Sequence, residues 1–117
     1  LYSAENQLLK ALSEMENAAH SAELKIAFNE HLSQTRTHVQ RLEAIFETLN
    51  ERPKGKTCKA MKGLIAEGRV HIKERATSAV KDASLIAAAQ RIEHYEISGY
   101  GTARTFAETL GYIEAAE

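Results

Sequence analysis

Residues 91–101 read RIEHYEISGYG and carry Glu93 and Glu96 three apart, with His94 and Tyr95 between them. That spacing places both carboxylates on one side of a helix. On a surface helix such a pair is ordinary. On a helix that needs the same side for its core, something must offset the charge, because a buried, unpartnered carboxylate is costly. The flanking residues raise the second case. Ile86, Ala89, Ile92, Glu93, Glu96, Ile97, Tyr100, Ala103 and Ala107 make one broad arc at helical spacing, with both acids in its middle. The plainer alternative is a solvated pair beside Arg91 and His94.

Two further stretches interrupt apolar stripes in the same way. Leu24, Phe28, His31, Gln34 or Thr35, His38, Leu42, Ile45 and Leu49 recur at steps of three and four, polar only in the middle two turns. A partly exposed face, or histidines bonded to neighbours, would also explain that run. Near the start of the chain, Glu5 continues the stripe of Leu8, Leu9 and Leu12. A glutamate there can equally be a surface residue favoured by the helix dipole.

Taken together, these residues share one chemistry. Di-iron and di-manganese proteins hold their ions with carboxylates and imidazoles aimed into a four-helix bundle. Desolvating several carboxylates side by side is expensive unless cations or protons neutralise them. Oxygen donors and imidazole suit iron and manganese. The candidate metal ligands are therefore Glu5, His31, Gln34, His38, Glu93 and Glu96, and the expected cofactor is two iron or manganese ions. Gln34 would ligate through its carbonyl and bring no charge.

Four helices must position these groups. The first is expected over Leu1 to Ala19, and the second from an N-cap at Ser21 to about Leu49. NERPKG then breaks the chain, since proline and glycine do not continue a helix. Thr57 is expected to cap a third helix bearing Cys58, Met61, Leu64, Ile65 and Ile72, with Glu67 facing in an ambiguous direction. Asp82 is expected to cap the fourth, which ends at Gly111. Short connections between long helices predict antiparallel neighbours and an all-α, up-down bundle. Glu14 with Lys10 predicts a weak intrahelical ion pair.

At 117 residues the chain is read as one domain, 1–117, with a single core. It is 44% apolar and 26% charged, with a net charge of −1 from interleaved acids and bases. That balance argues against a nucleic-acid or anionic-membrane surface, each of which needs concentrated positive charge. The basic residues of ERPKGKTCKAMK form only one short cluster. The sole cysteine, Cys58, cannot pair within the chain, which fits a reducing cytosol. No run approaches the roughly 20 apolar residues of a membrane span, and no signal peptide is visible. The chain starts without methionine and stops inside GYIEAAE, which reads as the opening of another helix, so a truncated C-terminal helix is expected.

The stretches LYSAENQLLKAL, AFNEHLSQTRTHVQRLEAIFETL, CKAMKGLIAEG and DASLIAAAQRIEHYEISGYGTARTFAETLGY resemble the YciF-like family of bacterial stress-associated proteins, within the ferritin-like superfamily. The resemblance covers essentially the whole chain. It implies a ferritin-like antiparallel helical bundle, a cytoplasmic homodimer and a di-metal centre. The superfamily pattern of a glutamate, an aromatic two turns on and a later glycine falls on Glu93, Tyr100 and Gly111, and so puts Glu93 ahead of Glu96. Glu5 matches the family's first-helix glutamate. His38 matches the histidine of a Glu-x-x-His pair, but Thr35 stands where its glutamate would be. That departure keeps a second reading open: a non-catalytic dimeric helical stress protein whose ancestral metal site has degraded. A storage cage is not expected.

Overall fold

The computed structural model describes residues 1–53 and 55–117; Lys54, within the basic run noted above, lies outside the described residues. Five helices account for the described fold: α1 (Tyr2–Ala18), α2 (Ala22–Thr48), α3 (Lys59–Lys73), α4 (Ser78–Leu110) and the single turn α5 (Ile113–Ala116). No strand occurs among the described residues. The bundle is elongated, 51 × 24 × 21 Å, as the 33 residues of α4 at about 1.5 Å each require.

Side-chain pairs fix the directions. Tyr2 bonds to Glu43 at 2.9 Å and Asn29 to Glu16 at 3.3 Å, so α1 and α2 run antiparallel. The Cys58 amide donates to the Ser3 hydroxyl at 3.2 Å, and Arg69 reaches Glu14 at 2.8 Å, so α3 runs beside α1 in the same sense. Cys58 also meets Tyr95 at 3.0 Å while Gly68 lies against Ala88, which sets α4 antiparallel to α3. The result is the expected up-down order.

The termini show which residues end each helix. Ser21 caps α2 by accepting from the Leu24 amide, as expected. Two expected caps are corrected. The side chain that accepts at the start of α3 is Cys58, through the Met61 amide, and not Thr57. The cap of α4 is Thr77, which accepts from Val80, so the helix begins a full turn earlier than Asp82. Asp82 instead accepts from the amides of His20 and Ser21, both at 2.8 Å, and ties the α1–α2 connection to α4. Helix α2 ends before its proline: Asn50, at φ 54°, takes the left-handed conformation while the Glu51 amide returns to Phe46 at 2.9 Å. Gly111 does the same for α4 at φ 84°, a conformation that strains a residue with a Cβ.

The core is built from one face of each long helix. Leu8, Leu12, Met61, Leu85 and Ile92 are almost wholly buried, each contributing about 1.5–3 kcal/mol by leaving water. Small residues let α3 approach: a Cβ at Gly68 would already touch Met15 and Ala88. The buried line of α2 is Phe28, Leu32, Thr35 and Val39, with the expected His31 and His38 on its flank toward α4 and Leu49 exposed. On α4 the line is Leu85, Ala88, Ala89, Ile92 and Glu96, while Ile86, Glu93 and Ile97 face outward. The expected α4 arc is corrected accordingly, and periodicity gives the reason. Glu96 lies only about 40° around the axis from Ile92, whereas Glu93 lies about 100° away.

Candidate metal centre

Helix α1 supplies Glu5, which is fully buried although it carries a carboxylate. Its neighbours Ala4 and Leu8 are buried too, so the helix cannot turn the acid to solvent without exposing them. Helix α2 supplies His38 and α4 supplies Glu96. Ligand atoms of Glu5, His38 and Glu96 all lie within 4.8 Å of one another. His38 Nδ1 stands 3.2 Å from Glu5 Oε2 and 4.0 Å from Glu96 Oε2. With bonds of about 2.0–2.2 Å, two donors on one cation sit roughly 3.0–4.2 Å apart, depending on their angle. Both separations fall in that window.

The electrostatics leave the cluster short of positive charge. No Lys or Arg salt-bridges either acid among the described residues. Burial, reinforced by the adjoining Glu96 carboxylate, pushes the Glu5 carboxyl up to about 9. Burial pushes Glu96 the same way, but His31 and the shared hydrogen bond with Glu5 overcome it and hold that group below the usual range. The metal-free pair therefore shares one proton, kept on Glu5, as two carboxylates at one site must. Burial also lowers His38, leaving its imidazole the free base that a cation requires. Tyr100 closes the site from α4, its ring 5.8 Å from that of His38 at 62°. Burial, then the charges of Glu5 and Glu96, raise its phenol further above the ordinary value.

Three buried polar atoms have no hydrogen-bond partner among the described residues: Glu5 Oε1, Glu96 Oε1 and the Tyr100 hydroxyl. Native interiors rarely leave such atoms bare. Three orphans within one cluster of acids and imidazole fit a cation there, with Tyr100 able to donate to an oxygen bound beside it.

The remaining expected ligands are placed differently. His31 lies beside the cluster, Nε2 3.7 Å from Glu96 Oε1 and Nδ1 3.7 Å from Glu93 Oε1. Glu93 and Gln34 are exposed and line an open depression with His31, His38, Glu96 and Tyr100. The inward orientation expected for these two is corrected, and the order of the α4 acids reverses, with Glu96 the buried one. Thr35 is fully buried, yet its hydroxyl is spent on the His31 carbonyl at 2.8 Å. Glu67 is exposed on α3. The sequence stripe that best marks Glu96 is Leu85, Ala89, Ile92, Glu96, which stays on one line where the broader arc wanders.

The profile of the family described as "Domain of unknown function (DUF892)" matches residues 1–117. The chain belongs to the DUF892 family. Protein YciF of Escherichia coli (strain K12) is 44% identical over 117 residues, which are 99% of this chain and 70% of that relative. The crystal structure of the E. coli stress protein YciF matches with a TM-score of 0.94 at 45% identity, over 98% of this chain and 73% of that one. YcfI from Rhodopseudomonas palustris matches with a TM-score of 0.95 at 39% identity, over 98% and 73%. The YciF-like resemblance read from the motifs and the all-α bundle are both borne out. The DUF892 match spans every helix that supplies the Glu5–His38–Glu96 cluster. No described helix of this DUF892 chain is long and apolar enough to cross a membrane.

Proposed function

We propose that this chain is a ferritin-like, stress-associated metal-binding protein that holds iron or manganese, two ions in all, with Glu5, His38 and Glu96 as the inner ligands. The observation that carries the reading is a fully buried carboxylate, Glu5, set against a second buried carboxylate and a neutral imidazole, with no Lys or Arg among the described residues salt-bridged to either acid. When bound, paired ions would supply redox chemistry such as iron oxidation or peroxide disposal. The residues' own parts follow from their surroundings. Glu5 gives up its proton to neutralise incoming positive charge. His38 offers its lone pair without first losing a proton. Tyr100 stays protonated and donates to an oxygen at the site. Leu8 and Ile92, one turn from the acids on their own helices, are buried and keep water from that side.

The likeness to the E. coli stress protein YciF supports the stress association. A cytoplasmic homodimer belongs to the same reading; the sole cysteine and the exposed Ile86, Ile97, Phe106 and Leu110 of α4 support it. The test is metal content after purification without chelators, from cells supplied with iron or manganese. Metal in the wild type that is absent from Glu96→Gln supports the reading, and metal-free wild type rejects it.

One observation favours the alternative, a non-catalytic dimeric stress protein with a degraded site: Thr35 satisfies its hydroxyl on the backbone and offers nothing to a cation. Aerobic iron addition separates the two. An oxo-to-iron absorption band supports the redox reading, and a silent spectrum supports the alternative.

A further inference from the structure

The net charge of −1 conceals a separation of charge. Residues 52–62 hold five cations and no acid, which leaves ten cations against sixteen acids in the rest of the chain. Helix α3 carries the run onward. Lys59, Lys62, Ala66, Arg69 and Lys73 recur at steps of three and four, and they share an arc of about 80° on the helix. All five are exposed, beside the buried line of Met61, Ile65 and Gly68. From Lys59 to Lys73 the stripe is about 21 Å long.

Neighbouring elements extend it. On α1, Ser3, Gln7, Lys10 and Glu14 lie on one line; Ser3 and Gln7 bond to Cys58, and Glu14 to Arg69. Lys10 stands between those contacts and is exposed, so it borders the stripe. A Cβ at Gly55 would stand 3.3 Å from that of Ser3, so the connection carrying the exposed Arg52 and Lys56 rests against the start of α1. Glu14 is the one acid salt-bridged to any of these cations among the described residues, and the charges of Lys10 and Lys73 bear on it too. Glu67, the acid within α3, lies about 120° around the axis from the centre of the stripe. Charges that interleave along the sequence are thus sorted by the fold, and one face gains the concentrated positive charge that the sequence did not predict.

We propose that this face binds the phosphate backbone of double-stranded DNA without regard to sequence. Unpaired lysines and arginines displace the cations condensed on phosphates, and that release is the source of sequence-independent binding. Lysine is depleted where proteins meet proteins, since such contacts need aromatic or apolar anchors. This stripe offers only Ala66 between its cations. Single strands are held by stacking their bases on aromatic rings, and α3 has no Phe, Tyr or Trp. It has no Asn or Gln to read a base edge either, and Arg69, whose fork could grip a guanine, is held by Glu14. Lysines also stay in water whatever packs against the apolar faces of the bundle.

Fluorescence anisotropy of a labelled duplex of about 20 base pairs and mixed sequence, between about 20 and 200 mM salt, tests this. Metal-free protein serves, since no residue of the stripe belongs to the Glu5–His38–Glu96 cluster. Binding should be micromolar at low salt and fall with a log–log slope of about −3 to −5, for about four or five phosphates neutralised. Lys59→Gln with Lys62→Gln should weaken low-salt binding by roughly tenfold or more and flatten the slope by about two. Glu14→Gln, which frees Arg69, should tighten binding and steepen the slope by about one. Arg36→Gln with Arg91→Gln removes the same charge from exposed positions on α2 and α4 and should leave the slope unchanged. No binding at the lowest salt, or an equal loss in both double variants, would overturn the proposal. So would a polyglutamate chain, or vesicles of phosphatidylglycerol, bound as tightly as the duplex.

Discussion

The two halves of this bundle are chemically opposite, and the polar one is the less completely buried. Around Leu12, Met15, Phe28, Leu85 and Ala88 the four long helices meet through aliphatic and aromatic side chains. About two to three turns along, the same α1, α2 and α4 meet through Glu5, His38, Glu96 and Tyr100, leaving three polar atoms bare. The first half gains stability from every group it removes from water. The second spends some of that gain to keep acids in place, the pattern expected where a sequence departs from folding rules for the sake of a site. The sharpest contrast lies within one helix. Truncating Leu12 should destabilise the protein by about 2–5 kcal/mol, because a large side chain leaves a cavity in a tight core. Glu5→Gln, which keeps the shape and removes the charge, should leave metal-free protein at least as stable as wild type at pH 8. Urea denaturation of both variants reads the difference. A large loss in Glu5→Gln would break the comparison, since it would make Glu5 a structural group.

Cations should narrow the gap between the halves. A ligand that binds only the folded state stabilises it by about 2.7 kcal/mol at a hundredfold excess over its dissociation constant. Manganese should therefore raise the unfolding midpoint of the wild type. The same addition should do nothing for Glu96→Gln, and Leu12→Ala should keep the full increment from its lower baseline. An increment retained in Glu96→Gln would place the cation elsewhere.

Legibility in the sequence divided along the same line. The aliphatic half is periodic, so the four long helices, their order and the up-down arrangement could be read from Leu8, Leu12, Met61 and Ile92 and their spacing. Caps were less legible where several polar residues compete near one helix start. Thr57 and Cys58 are neighbours, and only the path of the chain decides which side chain reaches the Met61 amide. Asp82 looks like a cap, but it serves a connection 61 residues away. At the site, each residue of the inner cluster could be nominated as an interruption of an apolar stripe. Which of Glu93 and Glu96 faces inward could not be settled by a broad arc, because both fall within it. The answer needed the narrower line through Leu85 and Ile92, fixed by how α4 rests on α1 and α3. Nothing in the local pattern told that Glu96 would meet separate partners with its two oxygens.

Acidity offers a finer probe. A carboxyl raised to about 9 in the fold, from about 4.5 when unfolded, favours the native state fully below the lower value and loses that contribution as pH rises toward the higher one. Between pH 7 and 9 the metal-free wild type should lose at most about 1.4 kcal/mol per pH unit from this group. The neighbours titrate outside that window or oppose it elsewhere. Glu96 is held low, so its contribution fades only in acid, and the lowered His38 matters below its ordinary value. Glu5→Gln should flatten the slope between pH 7 and 9, as thermal melts across that range would record. A slope unchanged by the substitution would assign the pH dependence to another group.

The smallest expected effect comes from an acid of the other half. Glu14 does not pair with Lys10 as its spacing suggests. Arg69 reaches across from α3 and takes both its oxygens, at 2.8 and 3.1 Å, and holds the carboxyl below its usual range. Fixed by a guanidinium fork, the group has what Glu5 lacks. Its sign under titration is accordingly reversed: the stabilisation is present above about pH 4.5 and is lost as pH falls through the lowered value. Both partners remain partly in water, so the pair should contribute only about 0.2–1 kcal/mol. A double-mutant cycle of Glu14→Gln and Arg69→Gln at pH 7 and 0.1 M salt measures that coupling. Glu14→Gln should therefore cost a little stability where Glu5→Gln costs none. Two glutamates on one helix then give opposite signs for the same substitution, because a guanidinium completes one of them and no Lys or Arg among the described residues salt-bridges the other.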